Sequence, residues 1–207
     1  MRRDQRGFTL IELLAVIVIL TILTLFLMPM LVGAIKANEV QRTQVLMLKI
    51  HGALDDYEQD KGDLPPSNFT TEQGTPPNLT NLGSECLYLA LCADKAAGFG
   101  KFDDVLKNTD DDQVPKRFPG FEVPALFELC DPWGNPIAYF HHRDYERHDQ
   151  YVTYDAKTEE RIENNVHALK SEKTGRYYEP RGAQMISAGP DGKFGSGDDI
   201  TSFDTSK

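Results

Sequence analysis

The stretch that decides the fold lies close to the N-terminus and reads Arg6-Gly7-Phe8-Thr9-Leu10-Ile11-Glu12-Leu13-Leu14. It opens a strongly apolar segment, since 22 of the 28 residues from Phe8 to Ile35 are Ala, Val, Ile, Leu, Met or Phe. A helix of that length measures about 42 Å at 1.5 Å per residue, which exceeds the roughly 30 Å hydrocarbon core of a bilayer. The sequence therefore predicts one membrane-spanning helix over residues 8–35.

The charges and length of this segment indicate its orientation and type. Arg2, Arg3 and Arg6 crowd the residues before it, which favours a cytoplasmic N-terminus. A secretory signal peptide is the main alternative, because residues 32–34 (Val-Gly-Ala) have the form of a cleavage site. Signal peptides, however, have an apolar core of only about 7–15 residues. The run here is about twice as long, so the sequence favours a retained helix.

Two residues inside the segment are chemically unusual. A carboxylate within a bilayer costs several kcal/mol unless it is paired, so Glu12 indicates a functional role. A position near the membrane interface, where Glu12 could reach water, would need no such role. Pro29 lacks the backbone N–H of an ordinary helical residue, and it predicts a kink or a loosened turn.

The stretch quoted above resembles the class III signal of type IV pilins and of the pseudopilins of type II secretion. In that family a prepilin peptidase cleaves after the Gly and methylates the new N-terminal Phe. The resemblance therefore implies a leader peptide over residues 1–7, cleavage between Gly7 and Phe8, and N-methylation of Phe8. It also implies that Glu12 pairs with the α-amino group of a neighbouring subunit in a filament. Such a pair stabilises a buried carboxylate only when the subunits are in register.

The helical pattern continues beyond the membrane segment. An apolar stripe follows at spacings of i, i+4, i+7, i+8 and i+11 and consists of Leu46, Ile50, Ala53, Leu54 and Tyr57. This spacing is typical of a helix face that packs on a globular domain. Gly62 and Pro65 then favour termination. We therefore expect residues 36–63 to form an amphipathic continuation, within one helix over residues 8–61.

The remaining residues, 64–207, are predicted to form an α/β head. The predicted elements are a short helix over 84–97 and strands over 137–141, 149–154 and 183–187. We expect loop structure over 64–83, irregular structure over 101–130, and an exposed excursion over 156–182 with a helix at 157–170. Together these elements predict an α+β, pilin-like fold, in which a long N-terminal helix, half of it transmembrane, packs on a small antiparallel β-sheet.

Residues 131–136 read Asp-Pro-Trp-Gly-Asn-Pro and form a dense turn signal before the first predicted strand. This string resembles the turn at the same place in the major pseudopilin of type II secretion. From the residues alone it is a good turn with an aromatic side chain that fills the space beneath it.

An acidic, glycine-rich loop is predicted over residues 187–200. It contains four glycines together with Asp191, Asp198 and Asp199. Calcium binds six to eight oxygen ligands in a flexible cage, although this spacing does not match the EF-hand, and a loop of this composition is equally compatible with a structural turn. Major pseudopilins hold calcium in a C-terminal loop of this kind. The resemblance therefore implies a calcium site with these three aspartates as ligands, and the choice between Asp198 and Asp199 stays open.

Other chemistry finds little support in the sequence. A net charge of −10 argues against nucleic-acid binding, which needs Lys and Arg to neutralise phosphates. No nucleophile elbow, Walker loop, dinucleotide fingerprint or His-Glu-x-x-His motif is present, so no enzyme is predicted. His141 and His142 are expected on opposite faces of a strand, which disfavours zinc. The acidic run 110–112 is expected to be a solvated loop.

The three cysteines leave two alternatives open. Either Cys86 or Cys92 forms a disulfide with Cys130, which leaves one thiol over, or all three thiols are free.

The resemblance implies a structural subunit of a type II secretion pseudopilus. The subunit would be a single-pass inner-membrane protein, with its N-terminus in the cytoplasm and its head in the periplasm. It would polymerise with itself and act with minor pseudopilins. An inner-membrane platform and its ATPase would stack the subunits into a filament that drives protein export. A type IV pilin of a surface fibre for adhesion or motility is the alternative, and a solitary membrane-anchored binding domain is a third class.

Overall fold

The computed structural model describes residues 9–70, 78–92, 100–113 and 126–205. The chain forms two compact units, residues 1–39 and residues 40–207. The described residues contain two α-helices, α1 (Leu10–Lys61) and α2 (Leu82–Cys92). Within the same described ranges, 3-10 helices lie at Gly100–Val105, His142–Asp144 and Gly189–Asp191.

Seven strands form three small antiparallel sheets within the described residues. The strands are β1 (Leu106–Lys107), β2 (Glu128–Leu129), β3 (Ala138–His141), β4 (His148–Tyr154), β5 (Arg161–His167), β6 (Ala183–Ser187) and β7 (Ile200–Thr201). One sheet pairs β1 with β2, a second has the order β3-β6-β7, and the third is the β4–β5 hairpin. The predicted α+β arrangement of a long N-terminal helix and small antiparallel sheets is confirmed.

The first part of α1 is apolar and exposed. The 19 residues Leu10–Met28 are long and apolar enough to cross a membrane, and none of this stretch is buried within the protein. Its two threonines return their hydroxyls to the helix backbone: Thr21 Oγ1 donates to the Ile17 carbonyl and Thr24 Oγ1 to the Leu20 carbonyl, both at 2.8 Å. Both hydroxyls are thus satisfied within the helix, which suits a lipid environment. Helix α1 continues through Pro29 without interruption.

The second part of α1 supplies one wall of the head core. The predicted stripe is confirmed, because Leu46, Ile50, Ala53 and Leu54 are buried and Tyr57 packs at their edge. The helix ends where expected. Gly62 has a φ of +81° and its N–H donates to the Glu58 carbonyl at 2.7 Å, which is a left-handed C-cap.

Strand β3 separates two apolar clusters. Ile137, just before the strand, and Tyr139 pack with α1 and with Leu87 of α2. Ala138 and Phe140 point to the other side and pack with side chains from the β4–β5 hairpin. Because successive strand side chains face opposite ways, β3 is covered on both faces and forms the centre of the head.

The structure corrects the expectation for residues 156–182. The predicted helix over 157–170 is wrong, because Arg161–His167 form β5, which pairs with β4 along seven residues. Asn164 and Val166 point inward, whereas Glu163, Asn165 and His167 are exposed. This period of two is that of a half-buried strand. The charged outward residues obscured it.

Other elements differ in their bounds or pairing. Helix α2 begins at Leu82, two residues before the predicted start at Ser84, and residues 93–97 of the predicted helix lie outside the described residues. The strands predicted at 149–154 and 183–187 are confirmed within β4 and β6. However, β4 pairs with β5 in a sheet of its own rather than with β3.

The contact between α2 and β3 gives a stability prediction. A Cβ on Gly83 would lie 2.0 Å from the Tyr139 carbonyl oxygen, whereas a Cβ on Gly52 of α1 meets nothing within 4 Å. We expect Gly83→Ala to destabilise the head by about 3 kcal/mol through overpacking, and Gly52→Ala to stabilise it by roughly 0.5–1 kcal/mol. Thermal unfolding of the detergent-solubilised chain measures both. Equal stability of the two variants would contradict this packing.

Candidate functional site

The N-terminal segment places Glu12 in a capping box. Thr9 precedes the first helical residue, and its Oγ1 accepts a hydrogen bond from the Glu12 N–H at 3.3 Å. In return, Glu12 Oε2 accepts from the Thr9 N–H at 2.8 Å and from the Thr9 hydroxyl at 2.7 Å. Thr-x-x-Glu is a helix N-cap signal that can be recognised in the sequence. Gly7 and Phe8 lie outside the described residues.

The C-terminal acidic loop lies between β6 and β7 and folds tightly on itself. Gly189, Gly192 and Gly195 have φ values of +64°, +67° and +80°, a conformation that favours glycine. A Cβ on Gly189 would lie 2.5 Å from the Asp198 carbonyl oxygen. The two ends of the loop therefore touch at a position that only glycine allows.

The loop joins Asp191 and Asp198 through one serine hydroxyl and holds Asp199 by a backbone N–H. Ser196 Oγ lies between two of them: it donates to Asp191 Oδ1 at 3.4 Å and makes a closer bond to Asp198 Oδ1. Asp199 Oδ2 accepts from the Gly195 N–H at 2.7 Å, while its Oδ1 is buried and has no hydrogen-bond partner. Burial, followed by the negative charges of Asp198 and Asp191, raises the pKa of the Asp199 carboxyl to about 6.

This donor set fits a hard cation. It consists of carboxylate and hydroxyl oxygens, with one buried carboxylate oxygen left free. Calcium and magnesium prefer oxygen ligands of this kind. The three aspartates are not tightly clustered, however. Among the described residues, the only three His, Cys, Asp or Glu side chains with ligand atoms within 4.8 Å of one another are Glu85, Asp110 and Glu128.

Strand β5 holds the loop through a single buried side chain. Asn164 is 8% exposed, and its Nδ2 donates to Thr153 Oγ1 at 2.7 Å and to the Gly192 carbonyl at 3.2 Å. Its Oδ1 accepts from the Phe194 N–H at 3.2 Å. The predicted helix at this place would not have supplied these contacts. The sequence signal for this strand is the alternation of residues 161–167, in which Ile162 and Val166 are apolar.

The turn over residues 131–136 braces the start of the same loop. Asp131 Oδ1 accepts from the backbone N–H groups of Trp133 and Asn135, each at 3.0 Å. Its Oδ2 accepts from Ser187 Oγ at 2.7 Å, and Ser187 Oγ in turn accepts from the Gly189 N–H at 3.2 Å. Residues 131–136 therefore do more than form a turn, because they connect the segment between β2 and β3 to the C-terminal loop.

Two further expectations change. The acidic run 110–112 is not a solvated loop: Asp112 is 8% exposed and Asp110 is half-buried, and only Asp111 is exposed.

The rings of His141 and His142 do not point to opposite faces, because β3 ends at His141. Their centroids lie 4.2 Å apart.

The cysteines follow the second of the two alternatives. Cys86, Cys92 and Cys130 are all free, two of them buried and Cys92 partly buried. Burial raises the pKa of each thiol above its usual value, so none is an activated nucleophile.

Comparison with known proteins agrees with these features. Residues 2–28 match the family described as the prokaryotic N-terminal methylation motif. The chain is 26% identical to the type II secretion system core protein G of Escherichia coli (strain K12) over 203 residues, which are 98% of this chain and 94% of that protein. It is 30% identical to the protein of the same name from Pseudomonas aeruginosa over 138 residues, 67% of this chain and 75% of that protein.

A shorter match, at 41% identity over 70 residues, exists to type II secretion system core protein G of Klebsiella pneumoniae, and it covers 34% of this chain and 47% of that protein. No solved structure gives a significant match. The methylation motif, the membrane-length helix and the α+β head define a pilin-like protein. Within that class, the chain belongs to the family of type II secretion system core protein G.

The brace between β5 and the loop can be tested by two neighbouring substitutions. Asn164→Ala removes three hydrogen bonds and takes from the Phe194 N–H its side-chain partner, so we expect a loss of about 2 kcal/mol. Asn165→Ala, on the exposed face of the same strand, is the matched control and should change stability by less than about 0.5 kcal/mol. Chemical unfolding measures both. Two equal effects would show that Asn164 does not brace the loop.

Proposed function

We propose that the protein is a structural, non-catalytic subunit of a type II secretion pseudopilus, a periplasmic filament that drives protein export. One observation carries this proposal: an N-terminal methylation motif leads into a membrane-length helix, in a chain that aligns with a core protein G over 98% of its length. The subunit would polymerise with itself and act with minor pseudopilins and the inner-membrane secretion platform.

Processing by a prepilin peptidase would precede assembly. The enzyme would cleave between Gly7 and Phe8 and methylate the new N-terminus at Phe8. Arg2, Arg3 and Arg6 precede the apolar helix and favour a cytoplasmic N-terminus. The helix would then anchor the subunit in the inner membrane, and the head would lie in the periplasm.

Assembly would bury the exposed apolar surface of α1 against neighbouring helices and pair Glu12 with a neighbour's α-amino group. The local geometry suits this role. Thr9 binds only Oε2 of the Glu12 carboxylate and thereby orients it. An amine from the next subunit would supply the charge that a carboxylate in a low-dielectric environment needs.

A type IV pilin of a surface fibre shares the methylation motif and is the alternative. The relatives named above favour secretion, because each is a type II secretion system core protein G.

We also propose that the C-terminal loop binds calcium through Asp191, Asp198 and Asp199. The unpartnered, buried Asp199 Oδ1 and the tight contact at Gly189 support this assignment. The ion would offset the mutual repulsion of the three carboxylates. The braces from Asn164 and Asp131 hold the loop backbone in place around them.

The assembly role of Glu12 can be separated from its capping role. In a deletion strain, we expect a Glu12→Gln chain to be processed yet to give no pseudopilus and no secretion, because a neutral amide cannot form the ion pair. Thr9→Ala removes the capping box, costs about 1 kcal/mol at the helix start and should retain secretion. Glu58→Gln, an exposed change farther along α1, is the control. The readouts are secreted protein and the mass of the mature N-terminus.

Full secretion by the Glu12→Gln chain would contradict the ion-pair role. Normal secretion in the deletion strain, together with loss of surface fibres, would contradict the pseudopilus proposal in favour of a type IV pilin.

The calcium site predicts a metal-dependent stability. Binding to the folded state alone contributes about 2.7 kcal/mol when calcium is present at 100 times its dissociation constant. We expect a higher melting temperature in calcium than in EDTA, with a smaller difference for the Asp191→Asn/Asp199→Asn double variant. Asp104→Asn, at an exposed position, is the control and should keep the full difference. An unchanged difference in the double variant would contradict the assignment.

A further inference from the structure

A second acidic group lies within the head and shares no residue with the C-terminal loop. It consists of Glu85 from α2, Asp110 and Asp112 from the segment after β1, and Glu128 from β2. The ligand oxygens of Glu85, Asp110 and Glu128 lie within 4.8 Å of one another. Three separate elements thus converge their carboxylates at one point.

The free oxygens of this group are buried and without partners. Glu85 is 0% exposed, and neither Oε1 nor Oε2 has a hydrogen-bond partner. Asp110 Oδ1 and Asp112 Oδ1 are also buried and unpartnered. Buried polar atoms in proteins are almost always hydrogen-bonded, so four unpartnered oxygens in one group call for a bound cation or for a proton shared between the carboxyl groups.

The remaining oxygens of the two aspartates are held by a single amide. Asn78 Nδ2 donates to Asp110 Oδ2 at 3.1 Å and to Asp112 Oδ2 at 3.3 Å. Each aspartate therefore has one oxygen held in place and one oxygen free. This is how residues around a metal site orient the side chains that ligate the ion.

Glu128 is fixed in a similar way by the residue before α2 and by the segment after β1. Its Oε1 accepts from Asn81 Nδ2 at 3.1 Å and its Oε2 from the Thr109 N–H at 2.9 Å. Asn81 is itself fixed, because its Oδ1 accepts from the Val152 N–H at 3.0 Å. The Glu128 carboxylate is thus pre-positioned beside Glu85 without a bond between them.

Within the part of the chain that the structure describes, no ion pair balances the four acids. Among the described residues, none of the ion pairs with Lys, Arg or His includes Glu85, Asp110, Asp112 or Glu128. Ionised carboxylates this close together need a counter-charge, which a divalent cation would supply.

We propose that Glu85, Asp110, Asp112 and Glu128 form a second divalent-cation site, which binds calcium. The ligands are all oxygens, which suits a hard cation. They come from four carboxylates, which favours calcium over magnesium, because magnesium usually keeps several waters and binds through one or two carboxylates. The ion joins α2 to β1 and β2. The inference goes beyond the pseudopilus proposal and does not depend on it.

The competing arrangement is a proton shared between the carboxyl groups, with no metal. Glu85→Gln distinguishes the two, because an isosteric amide removes one negative ligand and one buried charge without creating a cavity. In EDTA this variant should be at least as stable as the parent chain, so loss of binding cannot be attributed to unfolding. Asp111→Asn, at the exposed position between two ligands, is the matched control.

The test counts bound calcium by equilibrium dialysis on the full chain in detergent. The background is Asp191→Asn/Asp199→Asn, which removes the C-terminal loop site. We expect one calcium ion per chain to remain in this background, to be lost when Glu85→Gln is added, and to be kept when Asp111→Asn is added. The calcium-induced rise in melting temperature should follow the same order.

The outcomes separate the two sites. Calcium binding that survives Glu85→Gln in the loop-deficient background, or a folded background that binds no calcium, would overturn the second site. Selective binding of magnesium in its place would overturn the assignment to calcium. A parent chain that loses its calcium with Glu85→Gln, but not with the loop substitutions, would support this site and refute the loop site.

Discussion

The burial of one face of α1 in the head is the interaction on which the rest of that unit depends. Sheets of two or three short strands are marginal by themselves, and the head contains three of them. The stripe that includes Ile50 and Leu54 gives α2 and β3 a common apolar surface to pack on. Because β3 is covered on both faces, its Phe140 packs against the β4–β5 hairpin and connects the hairpin to the rest of the head.

The C-terminal loop shows a division between residues that hold its backbone and residues that carry its charge. Asp131 and Asn164 bind its backbone and its first hydroxyl from outside the loop. Asp191, Asp198 and Asp199 lie within the loop, and one oxygen of Asp199 stays unpartnered. A loop held in this way loses less conformational entropy when a cation binds, which favours binding.

The acidic character of the protein has a structural consequence. A net charge of −10 is usually spread over the surface, where water screens it. Here some of the carboxylates are buried: those of Glu85 and Glu128 in the head, and one oxygen of Asp199 in the loop. Buried carboxylates of this kind must take up a proton or a cation. The stability of the head is therefore expected to depend on pH or on a cation.

Features that depend on neighbours in the chain were accessible from the sequence. The apolar segment, the stripe that includes Leu46 and Ile50, and the end of α1 at Gly62 are local patterns of hydrophobicity and backbone freedom. Strands β3 and β4 carry enough β-branched and aromatic residues to be recognised. The Thr9–Glu12 capping box was equally readable, since its partners are three residues apart.

The tertiary structure alone decided the rest. Strand β5 has only Ile162 and Val166 as an alternating apolar signal, and the two asparagines between them disfavour a strand, so its pairing with β4 decides its structure. Glu85, Asp110 and Glu128 lie far apart in sequence, so no spacing could reveal that their carboxylates meet. The sequence by itself determined the membrane helix, its amphipathic continuation and the class of protein, because each is encoded by residues close together in the chain. Which acidic side chains are buried side by side depends on contacts between distant segments, and these exist only once the head has folded.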